Sequence, residues 1–186
     1  MHLLVSLAKK SVETLVKSGE IISPPENLPE EFLDRKSGTF VTIERENQLR
    51  GCIGTYLPTR NNIAEEVIHN AVAAAREDYR FGPVQEEELP YLSYTVYIID
   101  EPELIKNVYE LNPKEYGIIV RDVPIVYEKD EVTFDGRIVY KCGLLLPDLE
   151  GIDTVEQQVS IACQKAMIDP KKEKFLIYRF TAEKYR

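Results

Sequence analysis

Residues 39 to 56, Thr39-Phe40-Val41-Thr42-Ile43-Glu44-Arg45-Glu46-Asn47-Gln48-Leu49-Arg50-Gly51-Cys52-Ile53-Gly54-Thr55-Tyr56, decide the fold. Thr39 to Arg45 reads as a strand and Gln48 to Tyr56 as its partner. Glu46-Asn47 is the two-residue turn between them, since Asn tolerates the positive φ such a turn demands. Pro58 ends the second strand. Alternation there puts Arg50, Cys52, Gly54 and Tyr56 on one face, and Leu49, Gly51, Ile53 and Thr55 on the other, more apolar one. Arg50 and Cys52 are then same-face neighbours ~7 Å apart along the strand, with Gly54 leaving room beside the sulfur.

Upstream, Leu3, Leu4, Leu7, Val12, Leu15 and Val16 recur at helical spacing, and Gly19 stands where a helix commonly stops. Pro24, Pro25 and Pro29 favour an extended connection with one turn around Glu30 to Asp34. Downstream, Asn62 with Glu65 predicts the capped start of a helix reaching about Asp78. Its Ala71, Ala73, Ala74 and Ala75 would let it approach a sheet closely. Asp78 to Pro83 is a turn, Glu86-Glu87-Glu88 a solvated helix start, and Ser93 to Asp100 a strand rich in Tyr, Val and Ile.

Further strands are expected at Gly117 to Arg121, Ile125 to Glu128, Val132 to Phe134 and Arg137 to Leu146, with Asp135-Gly136 as the strongest hairpin signal. Asp153 and Glu156 predict the cap of a last helix, which Pro170 stops and whose buried side carries Val155, Val159, Cys163 and Ala166. Lys174 to Phe180 closes the chain as a strand. Gly54-Thr55-Tyr56-Leu57-Pro58 and Gly143-Leu144-Leu145-Leu146-Pro147 each follow a cysteine and precede a capped helix. They point to two β-rich, helix-bearing halves, about 38–82 and 117–169, within a single domain. The fold class is α+β, with a mainly antiparallel, barrel-like sheet flanked by helices.

At 186 residues the chain can bury a sizeable core without staples. Its three cysteines lack C-x-x-C spacing and its only histidines are His2 and His69, which argues for a reducing compartment and against a structural zinc site. No metal or cofactor motif is read. No signal peptide and no run of ~18 apolar residues is found, so a cytoplasmic protein without a membrane span is expected. A net charge of −9 argues against nucleic-acid binding. Charged residues at 30% with only two Met suit a heat-adapted organism.

Arg50 beside Cys52 favours the nucleophilic thiolate, so covalent or redox chemistry is one reading of this face. Arg50 with the backbone amides of Gly51 and Gly54 holding a small carboxylate or phosphate is another. The plainer alternative is a packed Cys52 with glycines serving sheet curvature. Cys142 and Cys163 are read as core and His69 as a helix-surface residue.

The string L-R-G-C-I-G at 49–54, preceded by Gly38-Thr39-Phe40-Val41-Thr42, resembles the AMMECR domain family. Asp78 to Pro83, Glu87-Glu88-Leu89, Gly143 to Pro147 and Arg179 to Glu183 resemble it too, so the likeness runs over essentially the whole chain. It implies two β-rich repeats sharing a barrel-like sheet. It also implies a functional face at Arg50, Gly51, Cys52 and Gly54 with Arg80 and Phe81 as a second cluster, and no agreed activity. Prokaryotic members tend to accompany a Memo-type protein and a radical S-adenosylmethionine enzyme, which makes either a candidate partner. Where many members carry an acidic-Trp-Asp segment, this chain has Gly151-Ile152-Asp153 and no Trp. Two functions follow as expectations. One is an enzyme or enzyme component binding a small anionic or electrophilic ligand, with Cys52 as nucleophile and Arg50 orienting. The other is a non-catalytic module docking a partner through the same face.

Overall fold

The structure, a computed structural model, describes residues 1–123, 133–134, 137–138 and 141–186. The strand expected at Ile125 to Glu128 and the Asp135-Gly136 turn lie outside the described residues. Helix α1 (Leu3–Ser18) buries Leu4, Leu7, Val12 and Leu15 and ends at Gly19, whose φ of 74° lets its N–H reach the Leu15 carbonyl. The proline-rich connection leads to the short α2 (Glu30–Asp34). Strands β1 (Gly38–Arg45) and β2 (Gln48–Gly54) are joined by Glu46 and Asn47 at φ 52° and 63°, the paired left-handed residues that match strand twist. Helix α3 (Ile63–Arg76) starts at Asn62, whose side chain accepts the Glu65 N–H. A 3-10 turn at Glu86–Tyr91 precedes β3 (Leu92–Ile99).

Next come β4 (Glu103–Leu104), β5 (Gly117–Asp122), β6 (Thr133–Phe134), β7 (Arg137–Ile138) and β8 (Cys142–Leu145), then α4 (Val155–Lys165), β9 (Phe175–Phe180) and β10 (Ala182–Tyr185). The cap of α4 is Thr154 with Gln157, one residue later than the sequence predicts, because Asp153 is drawn into an ion pair with Lys114 at 2.9 Å. The helix ends at Ala166, ahead of Pro170, where Met167 turns left-handed at φ 55°.

The fold is α+β, and β1–β2, β1–β3, β4–β9, β5–β8, β5–β9 and β6–β7 all pair antiparallel. The expected barrel-like sheet is not closed among the described residues. They form two four-stranded sheets, ordered β10-β3-β1-β2 and β4-β9-β5-β8, and a β6–β7 ribbon. Closure fails because each sheet keeps edges: β2 and β10 in one, β4 and β8 in the other.

The chain divides into two compact units, Met1–Glu101 with Glu183–Arg186, and Pro102–Ala182. In the first, Val41, Ile43, Val96 and Ile98 form the core with Leu4, Val12, Val67 and Ala71 of α1 and α3. In the second, Ile118, Val120 and Leu145 pack on Ala162, Cys163 and Ala166 of α4.

The β1–β2 register slips between Ile43 and Glu44. Ile43 faces Gly51, Glu44 faces Leu49, and Arg50 is the extra, bulged residue. Leu49, expected beside Gly51 and Ile53, is therefore set opposite Glu44 and is 43% exposed. Gly51 meets α3 directly, and a Cβ there would fall under 3.0 Å from the Ala74 carbonyl oxygen. Gly143 of β8 stands against the Ala162 carbonyl of α4 in the same way, a likeness that pairs Gly143 with Gly51 rather than with Gly54.

Adding one methyl at either position must push a helix off its sheet. Gly51→Ala and Gly143→Ala should each lose about 2–3 kcal/mol in urea denaturation, the cost of overpacking against backbone that cannot yield. Gly82→Ala, where a Cβ would meet nothing within 4 Å, should stay within about 0.5 kcal/mol of the parent.

Candidate functional site

An edge strand presents backbone donors and acceptors that nothing in its own sheet satisfies. Strand β2 is such an edge, and Cys52 is the point at which its outward groups are met. The Cys52 N–H donates to Asp78 Oδ2 at 2.9 Å, and Arg80 Nη2 donates to the Cys52 carbonyl at 3.4 Å. Asp78 in turn accepts from Arg80 through Nε at 2.9 Å, Nη2 at 2.7 Å and the backbone N–H at 3.2 Å. The Asp78-Tyr79-Arg80 turn thus supplies, with two side chains, the pair of bonds that a further strand would supply. The Arg80 guanidinium holds the Asp78 carboxyl down to about 2, helped by the Cys52 N–H and opposed by burial.

Arg50, displaced by the bulge, turns to the 3-10 turn. Its Nε donates to Glu88 Oε1 at 2.8 Å, its Nη2 to Glu88 Oε2 at 2.9 Å and its Nη1 to the Gly82 carbonyl at 3.0 Å. This is a forked, charge-assisted pair. Glu88 also accepts the Gln85 N–H at 2.8 Å, so it is no solvated helix start: its side chain is only 13% exposed. The Arg50 guanidinium holds the Glu88 carboxyl down to about 2, and Glu88 raises Arg50 in return. Phe81 lies near both cations, 5.9 Å from the Arg50 guanidinium carbon and 5.5 Å from that of Arg80, within cation–π range.

The half-buried Cys52 pairs in register with Thr42, whose Oγ1 is 3.3 Å from its sulfur. Arg80 is coupled electrostatically to Cys52, a partner that strict alternation, which pointed to Arg50, does not name. Gly54 leaves no hollow beside the sulfur. It faces Phe40, and a Cβ there would strike the Phe40 ring and the Thr39 carbonyl. His69 belongs to α3, which packs on the Gly51 face of the sheet, opposite the Cys52 side chain. Cys142, expected in the core, is exposed on edge strand β8. Cys163 is buried as expected at 1% exposure, and burial pushes its thiol up.

Arg50, Cys52, Arg80 and Phe81 therefore do come together, with Gly51 turned to the helix and Gly54 covered by Phe40. Sequence reasoning missed Asp78, Glu88 and Thr42 as members. An arginine on a strand face needs an anion, and Glu88 supplies it. Asp78 two residues before Arg80 was the other available signal. Among the described residues no group of three or more His, Cys, Asp or Glu could hold a metal ion, and no helix is long and apolar enough to cross a membrane.

Of the motif stretches, 49–54, 78–83 and 87–89 meet in the first unit, and the family model AMMECR1 matches residues 5–185. The chain belongs to the AMMECR1 family. A Thermotoga maritima relative is 44% identical over 186 residues, covering 100% of this chain and 98% of its own. A Clostridium acetobutylicum protein is 42% identical over 94% of this chain, but the match spans only 35% of that longer protein. The crystal structure of an uncharacterized Pyrococcus horikoshii protein superposes with a TM-score of 0.81 at 32% identity, covering 97% of this chain and 88% of that one. Relatives thus include proteins of heat-adapted organisms, and their names carry no activity.

The Asp78 and Glu88 carboxyls are both depressed on folding, so their stabilisation is complete above the ordinary carboxylate range. It is lost as pH falls through that range toward about 2. Glu88→Gln and Asp78→Asn should each be less stable at pH 7 and should flatten the acid limb of stability against pH. Urea midpoints from pH 7 down to about 2.5 check this, and unchanged slopes in both variants would remove the clasp as a source of acid sensitivity.

Proposed function

We propose that this AMMECR1-family domain is a docking module whose binding face is the turn clasped onto β2. The carrying observation is Tyr79. It is 95% exposed, yet its neighbours Asp78 and Arg80 are both fastened to the edge of the strand. An exposed aromatic on a turn whose flanking residues are both hydrogen-bonded to a strand brings little backbone entropy cost to a partner pocket, and Tyr and Arg are among the residues enriched in hot spots. Arg80 keeps 43% of its side chain exposed beside it. Arg50, with its donors on Glu88 and Gly82, supports the turn from behind. The occurrence of a similar domain as 35% of a longer clostridial protein supports a modular role. The partner class is a Memo-type protein or a radical S-adenosylmethionine enzyme, the two that the family resemblance implies. Calorimetric titration of each with the intact protein should give a complex that Tyr79→Ala weakens about 30-fold, the effect of losing one hot-spot side chain. Equal affinity in the variant, or no complex with either, overturns the proposal.

A second reading is carried by the sulfur. Cys52 has a hydroxyl at 3.3 Å and a guanidinium in electrostatic reach, an arrangement that favours a nucleophilic thiol acting on an electrophilic ligand. Cys142 is the control, a residue more exposed overall whose thiol is nonetheless pushed up by burial. At pH 7 iodoacetamide should modify Cys52 ahead of Cys142, read by mass spectrometry of the native protein. Modification of Cys142 first would leave Cys52 as a packing residue.

A further inference from the structure

The first unit holds a second candidate site, walled by α3 and the proline-rich connection, against the face of the helix turned away from β2. It is a cavity of about 330 Å³ lined by Ile22, Pro24, Ile68, Val72, Arg60 and His69. The volume lies at the lower end of the range that holds small ligands. Its walls are mainly hydrocarbon, and of its polar groups His69 contacts the Arg60 side chain.

Arg60 is placed by a buried carboxylate. Glu66, at 0% exposure, accepts the Arg60 N–H at 2.8 Å, the Thr59 N–H at 2.7 Å, the Thr59 hydroxyl at 2.9 Å and the Thr55 hydroxyl at 2.7 Å. The loop carrying Arg60 is thereby locked before any ligand arrives. Its side chain differs from those of Arg50 and Arg80. No acidic side chain among the described residues forms an ion pair with it, and Nη2 lies 2.9 Å from His69 Nδ1 and 3.1 Å from His69 Nε2. This exposed arginine rests on an imidazole at the wall of a mainly apolar pocket, in a protein of net charge −9.

We propose that this cavity binds a small aliphatic monocarboxylate. The carboxylate would take the forked guanidinium of Arg60, and the hydrocarbon body would lie on Ile22, Ile68 and Val72. Glu65 also lines the cavity, its Oε2 accepting the Asn61 N–H at 3.2 Å, and its charge opposes the two negative charges of a phosphate monoester more than the one of a carboxylate. The site is separate from the clasped turn and stands or falls independently of it.

The test uses the full, nitrogen-15-labelled chain titrated with 4-methylpentanoate and, as an isosteric neutral control, 4-methylpentanamide. The carboxylate should give saturable shifts at the Arg60 Nε–H and at the amides of residues 21–23 and 68–72, with the neutral amide at least about tenfold weaker. Arg60→Gln should reduce carboxylate affinity about tenfold and leave the neutral probe unchanged. Equal binding of the two probes, carboxylate binding that survives Arg60→Gln, or no saturable shift overturns the proposal. Should Arg60→Gln fail to fold, Ile21→Glu takes its place. It sets a negative charge at a cavity residue that is 63% exposed, and must weaken the carboxylate and spare the amide; carboxylate binding that survives it overturns the proposal equally.

Discussion

The structure of the first unit depends on Gly51 standing against the Ala74 carbonyl. That contact sets the distance between sheet and helix, and only a residue without a side chain permits it. With Gly51 and Ile53 committed to the helix face, strict alternation would put Leu49 there too. The β-bulge at Arg50 instead releases Leu49 to the surface. It inserts one residue, turns Arg50 outward to Glu88 and leaves Cys52 opposite Thr42.

The clasp follows from the same constraint. Because β2 is an edge, its outward amide and carbonyl at Cys52 need partners. Asp78 and Arg80 supply them from a turn, not from another strand. This blocks strand addition at that point, a recognised way of protecting an edge. It also fixes the turn so firmly that Tyr79 is carried fully into solvent. What protects the sheet and what presents a binding face are thus one set of bonds. The Asp78 carboxyl that makes it, and the Glu88 carboxyl that holds Arg50 nearby, are both held down to about 2, so at neutral pH both are charged.

The two ends of the strand-loop-helix passage then serve different purposes. The β2 side of the sheet carries the cysteine, the clasp and the exposed aromatic. Beyond the loop, Glu66 anchors Arg60 on the other side of α3 over an apolar cavity. One buried carboxylate and one glycine contact keep both in place.

Much of the scaffold was legible from the sequence because it rests on short-range rules. The Glu46-Asn47 turn, the Gly19 stop, the Asn62 cap and the alanine-rich face of α3 each follow from the conformational preference of one or two residues. Arg80 and Phe81 were named only through the family resemblance, as a second cluster apart from Arg50 and Cys52. The bulge was not legible. A two-residue turn at 46–47 with regular pairing sets Thr42 opposite Gly51, and only the packing of α3 shifts it to Cys52. That single slip exposes Leu49, sends Arg50 to Glu88 and turns the Cys52 amide and carbonyl to Asp78 and Arg80. Asp78 and Glu88 entered the site for the same reason, since their roles are defined by backbone groups and charges distant in sequence. Alternation and capping are properties of neighbouring residues, so the sequence by itself determined the elements. Which groups would be left needing partners depends on how those elements pack, and only the tertiary structure decided that.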